Sequence, residues 1–333
     1  MGSVYQGMHR PRLPGRLAYV PRPRVNMGRL LVRVGIGVVA LGALAFLVLS
    51  GLTAWFLTHP PQADDMSTRL DYDVGWVRLN VPTRDGASLS AWYGPVIDPA
   101  GTVIVTHGIA STHRDMVGKG NMLRRLGFNT FIFDFRGHGL SDPGVVTLGA
   151  REVDDLIDAL DVVVGLPGVD PRRVAVIGDS MGGAAAIMAA ARDPRIAAVV
   201  AESSYARLLD TTDESFQAFL GVPAFPFAGP IQLMARIFSG VDPGQVNPVD
   251  DIGRISPRPV FIIHGTSDRY VPAAVGQELY EAAGEPRVIW QPPSVGHVGA
   301  FSQRLGEYAV RVNAFLRQAL GRANPTASAV TAS

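Results

Sequence analysis

The run Gly178-Asp179-Ser180-Met181-Gly182 sets a serine between two glycines, directly after the apolar stretch Val174–Ile177 and just before the alanine-rich Ala184–Ala191. A hydroxyl carried on a sharp strand-to-helix turn stands clear of its own backbone. The flanking glycines remove Cβ atoms that such a turn would bring into collision. This is the local arrangement of a nucleophile for acyl transfer. Spacing alone does not establish it: with 37 glycines and 18 serines in 333 residues, chance supplies about 0.2 such matches. The strand–turn–helix setting separates it from a glycine-rich packing turn.

A serine at neutral pH needs a base, and the base needs a carboxylate to orient it. For this kind of turn the chain order is Ser, then Asp or Glu, then His. Asp268 follows the apolar run Val260–Ile263 in His264-Gly265-Thr266-Ser267-Asp268, and His297 follows Val288–Trp290 in Ser294-Val295-Gly296-His297. Both stand where a parallel strand would end, which is where open α/β sheets gather their sites. The alternatives are a helix-capping role for Asp268 and a surface-loop role for His297. Glu202 is the fallback acid. The oxyanion of the reaction needs two backbone donors. Met181, after the serine, supplies one, and Ile109 in His107-Gly108-Ile109 is the second candidate.

The other histidines do not compete. His107 is read as supporting its loop, and His138, in Gly137-His138-Gly139, as part of a tight turn. His9, His59, His113 and His264 have no metal-ligand spacing, and no phosphate-cradling loop appears. The chain has no cysteine, which excludes disulfide scaffolds, thiolate zinc sites, Fe–S clusters and a cysteine nucleophile. Neither a metal nor a cofactor is expected.

Positioning such a site requires alternating strands and helices. Strands are predicted at Gly75–Val81, Ser88–Tyr93, Thr102–Thr106, Thr130–Phe133, Val174–Ile177, Ala197–Ala201, Val260–Ile263 and Val288–Trp290. Asp85-Gly86 signals a hairpin between the first two. Helices are predicted at His113–Leu126, Gly149–Val164, Met181–Arg192, Ala273–Ala283 and Gln303–Leu320. The pattern implies βαβ units and a mainly parallel sheet. Between Tyr205 and Ser256 the alternation fails, and apolar residues mix with Pro and Gly; this stretch reads as an insertion capping the sheet.

The net charge of +1 conceals a segregation. Seven arginines and no acid occupy residues 1–63, so the remainder carries 23 basic against 29 acidic residues. Val34–Leu57 is uncharged over 24 residues, roughly 36 Å as a helix, enough for a hydrocarbon core of about 30 Å. It is longer than a signal-peptide core and lacks a small-x-small cleavage site at its end. Trp55 and Phe56 suit an interface, and Pro60-Pro61 ends the helix. The arginines lie before the span and Asp64-Asp65 after it. The positive-inside rule therefore predicts a single-pass cell-membrane protein, N-terminus cytoplasmic and bulk outside. The expected layout is a basic Arg/Pro-rich disordered arm at 1–33, a transmembrane helix at 34–57, a linker at 58–70, an α/β domain at 71–320 and a disordered tail at 321–333. No nucleic-acid partner is expected; the lipid bilayer is met through residues 34–57. Lys119 is the sole lysine, read as a composition bias.

With these motifs in order, the chain resembles the α/β-hydrolase fold superfamily in its serine-hydrolase branch. The resemblance rests on His107-Gly108, Asp134–Ser141, Gly178–Gly182, Asp268 in its HGTSDRYVP context and His297 in Val-Gly-His. It covers about residues 75–320. It implies a three-layer fold with an eight-stranded, mostly parallel sheet and a lid after the sixth strand, here about 205–256. Serine at the elbow argues against the dehalogenase and epoxide-hydrolase branches, where Asp stands. The anchor matches only some relatives. The expected activity is hydrolysis of a carboxylic ester through an acyl-enzyme, with a small-molecule substrate bearing an apolar acyl or aryl group. Amide or peptide cleavage, a non-catalytic binding module and a membrane-surface scaffold are the alternatives.

Overall fold

Runs of β-branched and aromatic residues form eight strands in the computed structural model, which describes residues 26–62, 75–210 and 213–321. They are β1 (Val77–Pro82), β2 (Ser88–Gly94), β3 (Thr102–Thr106), β4 (Asn129–Phe133), β5 (Val174–Asp179), β6 (Ile196–Glu202), β7 (Val260–Ile263) and β8 (Arg287–Trp290). They lie in one sheet in the order β1-β2-β4-β3-β5-β6-β7-β8. β2 runs antiparallel to β1 and β4, and all later pairings are parallel. The hairpin expected at Asp85-Gly86 closes through Thr83 N–H donating to Ala87 O at 2.8 Å, with Gly86 at φ +91°.

Side-chain alternation assigns the two faces of the central strands. Val103, Val105, Ala175, Ile177, Val200 and Phe261 pack under α2 (His113–Arg125) and α10 (Leu305–Gly321). Ile104, Val176, Val199, Ala201, Val260 and Ile262 pack under α3 (Glu152–Val164), α4 (Met181–Arg192), α7 (Pro248–Ile252) and α8 (Ala273–Ala282). With both faces covered, these strands read as continuous apolar runs rather than alternating ones. The architecture is the expected α/β-hydrolase fold.

Boundaries shift where side chains redirect the backbone. The helix expected from Gly149 starts at Glu152, because Leu148 and Gly149 take positive φ and the Glu152 carboxylate accepts the N–H groups of Thr147 and Gly149, both at 2.8 Å. The helix expected from Gln303 begins at Leu305, after a short α9 (Ala300–Gln303) that breaks at Arg304. The insertion after β6 is helical, with α5 (Asp213–Leu220) and a kinked α6 (Ala224–Ser239). Its far end differs from the expected cap. Val246, Val249, Ile252 and Ile255 are buried in the main core, so the chain has rejoined the domain before Ser256.

The apolar segment near the N-terminus is a single helix, α1 (Met27–Thr58), with mean hydropathy 2.4 over its most apolar 18 residues. It begins seven residues before Val34, on Asn26, whose Oδ1 accepts the Arg29 N–H at 3.2 Å. Nothing in Arg29–Arg33 breaks a helix, so the charges do not set the boundary. From Leu47 onward the chain forms one unit with the hydrolase domain. Thr58 O accepts from Val146 N at 2.9 Å, and the Gln62 amide donates to Ser141 O at 2.8 Å. The start of the expected linker is therefore fastened to the domain. The rest of that linker, most of the basic arm and nearly all of the C-terminal tail lie outside the described residues.

Candidate active site

β5 runs straight into α4, and the turn between them forces Ser180 to φ 52°, ψ −115°. A non-glycine residue with positive φ is strained, and such strain persists only where the surroundings over-determine it. The surroundings here are tight. A Cβ on Gly178 would lie 2.3 Å from Gly182 O, and one on Gly182 would lie 2.6 Å from His107 O. Both glycines are thus required by backbone atoms that have no room to move. Ser180 N–H donates to Glu202 O at 2.8 Å, pinning the turn to the end of β6.

The loops after β7 and β8 bring the other two residues to the serine. His297 Nδ1 lies 2.8 Å from Asp268 Oδ2, and His297 Nε2 lies 3.0 Å from Ser180 Oγ. An ionised carboxylate only accepts, so Nδ1 carries the imidazole proton and Nε2 is left to accept from the serine hydroxyl. Asp268 Oδ1 accepts the N–H groups of Tyr270 and Val271 at 2.9 and 3.0 Å. Burial raises the Asp268 carboxyl, but the His297 hydrogen bond and charge, with the Val271 N–H, outweigh it and leave the carboxyl below its ordinary value. It stays an anion facing the His297 ring.

Ile109 and Met181 line the same cavity as Ser180. Met181 opens α4, so its N–H has no partner within the helix. Gly108 lets the β3 loop press on the elbow: a Cβ there would stand 3.2 Å from Ser180 Cβ. His107 is buried behind this loop. Its Nε2 accepts Phe135 N–H at 3.0 Å, and Nδ1 donates to Gly108 O at 2.7 Å. Burial, with His138 as a secondary cause, lowers its pKa to about 4, so it remains neutral and supports the loop. His138 bonds Arg136 O at 3.0 Å in its turn. His113 pairs with Asp134 at 2.7 Å. Glu202, the fallback acid, faces elsewhere: its Oε1 accepts Ala300 N–H and its Oε2 meets Lys119.

Lys119 was not legible as a site residue. Its Nζ is buried between Asp179 Oδ1 at 2.5 Å and Glu202 Oε2 at 2.7 Å. It joins the residue before Ser180 to the one that holds Ala300, three positions after His297. A single lysine in a chain that otherwise uses arginine was the available signal. A compact ammonium occupies a pocket that a planar guanidinium does not match.

The cavity over Ser180 measures about 180 Å³ and is mostly apolar, with Leu148, Phe216, Phe219, Leu220, Ile231 and Tyr270 in its walls. Two carboxylates line it among the described residues, Asp210 and Glu278, and both pair with Arg207, at 3.2 and 2.6 Å. Leu57 of α1 is also in the wall, which periodicity does not foretell. No cluster able to hold a metal ion occurs among the described residues.

Comparison with known proteins agrees with the fold. Residues 97–225 match the family described as serine aminopeptidase, S33. The Escherichia coli (strain K12) protein YfhR is 31% identical over 250 residues, spanning 72% of this chain and 80% of that protein. Bem46 of Schizosaccharomyces pombe is 26% identical, over 70% of this chain and 75% of its own. Among solved structures, the Pyrococcus furiosus esterase Pf2001 superposes with a TM-score of 0.67 at 28% identity, covering 79% of this chain and 98% of that one.

Proposed function

Since the chain belongs to the α/β-hydrolase superfamily, we propose that it is a membrane-anchored serine hydrolase of carboxylic esters, with Ser180 as nucleophile, His297 as base and Asp268 as the orienting acid. The observation that carries this reading is the unbroken hydrogen-bond chain from Ser180 Oγ through His297 to Asp268, at 3.0 and 2.8 Å. Ser180 Oγ attacks the ester carbonyl carbon as its proton passes to His297 Nε2. The oxyanion is bound by the N–H groups of Met181 and Ile109, each donor contributing about 2.7–4 kcal/mol to the transition state. His297 then protonates the leaving alkoxide, which departs as the alcohol. A water gives its proton to His297 and attacks the acyl-enzyme, releasing the carboxylic acid and returning the proton to Ser180.

The matched family's description raises cleavage of peptides from a free N-terminus as the second reading. Capture of a free α-ammonium calls for an unpaired carboxylate, and the two in the cavity wall are both engaged by Arg207. The apolar walls favour an acyl group instead. Labelling with a fluorophosphonate probe is expected for the native chain and absent in Ser180→Ala; no labelling of the native chain would overturn the reading. An acyl-ester panel against N-terminally free peptide amides then separates the two chemistries, with esters expected to turn over faster.

The anchor is α1, entered from the cytoplasm by the arginine-rich arm, with the hydrolase domain on the far side. Protease added to inside-out vesicles is expected to leave residues 75–321 intact. Digestion there would reverse the orientation.

A further inference from the structure

The end of α1 is built into the substrate site. Ala54 is fully buried and packs with Phe216 and Ile231 of the lid helices, and the Trp55 ring meets Phe238 edge-on at 5.6 Å. One turn later, Leu57 forms part of the cavity wall with Phe216, Leu220 and Ile231. The helix most suited to hydrocarbon thus ends against the lid and opens onto the space above Ser180.

The lid itself is unlike an ordinary exposed surface. From Ser215 to Ala235 twenty-one residues pass without a charge. Phe225 is 87% exposed, Leu233 55% and Ile237 62%. Leu233 and Ile237 stand four apart, on one face of α6. Ala54, Trp55 and Leu57, which touch the lid, belong to the last turns of the apolar helix, where Trp55 and Phe56 suit the membrane interface. A bilayer that receives α1 therefore brings the lid to its own surface. Because the apolar face is tied to the span, and Arg236 beside Ile237 is paired with Asp242 at 3.3 Å, a lipid layer is its fitting occupant.

We propose that Leu233 and Ile237 on the exposed face of α6, together with the exposed Phe225 at the kink near its start, sit in the interfacial layer of the bilayer, and that the substrate is a long-chain acyl ester of a membrane lipid reaching Ser180 past Leu57. This rests on the serine-hydrolase reading and names its substrate class. The ester carbonyl comes to Ser180 while the aliphatic chain lies along Phe216, Leu220 and Ile231. The chain then passes between hydrocarbon and cavity with little exposure to water, so apolar surface need not be hydrated on the way.

The test uses the full chain reconstituted in phosphatidylcholine vesicles. 4-Methylumbelliferyl oleate is dissolved in the bilayer, and 4-methylumbelliferyl acetate is supplied in water. The variant is Phe225→Glu, Leu233→Glu, Ile237→Glu, none of which lines the cavity. Oleate hydrolysis is expected to fall at least about 10-fold, with acetate hydrolysis and fluorophosphonate labelling within about twofold of the native chain. A separate Phe225→Trp chain is expected to be quenched by lipids brominated on their acyl chains beyond the quenching of the native tryptophans. Unchanged oleate hydrolysis, equal loss on both esters, or no excess quenching would each overturn the proposal. A native chain that hydrolyses acetate but not the bilayer oleate overturns it while leaving the hydrolase reading intact. A native chain that neither labels nor hydrolyses acetate overturns the hydrolase reading, and this proposal with it.

Discussion

Replacing Lys119 by methionine tests whether the buried ammonium holds the elbow together. The change keeps an unbranched side chain one atom shorter and removes one charge from between Asp179 and Glu202, all three being nearly inaccessible to water. Breaking a buried ion pair at one partner typically costs about 3–5 kcal/mol, because the remaining charge has lost both water and counter-ion. The sign of the pH dependence follows from Asp179. Burial already raises that carboxyl from 3.8 to about 6, with Lys119 opposing and Glu202 adding to the rise. Without Lys119 it rises further. A carboxyl raised above its unfolded value contributes stability that is fully present below the unfolded value and is lost as pH climbs through the folded one. In the native protein that loss is complete a little above pH 6, whereas in the variant it continues. The deficit of Lys119→Met is thus expected to widen as pH rises above 6, by at most about 1.4 kcal/mol per pH unit. Urea denaturation in detergent micelles at pH 6, 7 and 8, followed by far-UV circular dichroism, measures it. A deficit under about 1 kcal/mol at pH 7, or one independent of pH, would show that the Lys119 ammonium does not hold the elbow together.

Three further outcomes follow from the site. Asp268→Asn is expected to lower kcat by about 10⁴-fold with little change in thermal stability, since the wrong imidazole tautomer then faces Ser180; steady-state hydrolysis of a soluble ester measures this. Gly182→Ala pushes a methyl group onto the carbonyls of His107 and Thr106, at 2.6 and 2.7 Å, and is expected to destabilise by at least about 1–3 kcal/mol in a thermal melt. Asp134 is raised by burial, but hydrogen bonds and charge from His113, with the Leu140 N–H, hold it below its ordinary value. Its contribution is therefore present above the unfolded carboxylate pKa and lost as pH falls through the lower folded one. Asp134→Asn is expected to remove about 1.5–3 kcal/mol at pH 7 and to flatten the acid limb of the stability profile below about pH 4.

Strands buried on both faces announce themselves as apolar runs, which is why Thr102–Thr106 and Val260–Ile263 are legible to the residue. Helix starts are less so. Glu152 and Asn26 set theirs through side-chain hydrogen bonds to backbone N–H groups, an effect that periodicity does not carry. The lid is harder still. Its residues Phe216, Ile231 and Phe225 have similar hydrophobicity, yet the first two are buried and the third is almost fully exposed.

Residue type and local spacing determined by themselves the elbow around Ser180, the two loops bearing Asp268 and His297, and the apolar span, because each is written within about ten to twenty-five neighbouring positions. Only the tertiary structure decided that His297, 117 positions from Ser180, stands 3.0 Å from it. It alone set Lys119 between Asp179 and Glu202, and Leu57 of the apolar helix in the wall of the cavity. The reason is the range of the forces involved. Hydrogen-bonded turns and hydrophobic period act between near neighbours. The company a buried charge or a small residue such as Ala54 keeps is chosen by distant segments, whose approach depends on how every intervening element packs.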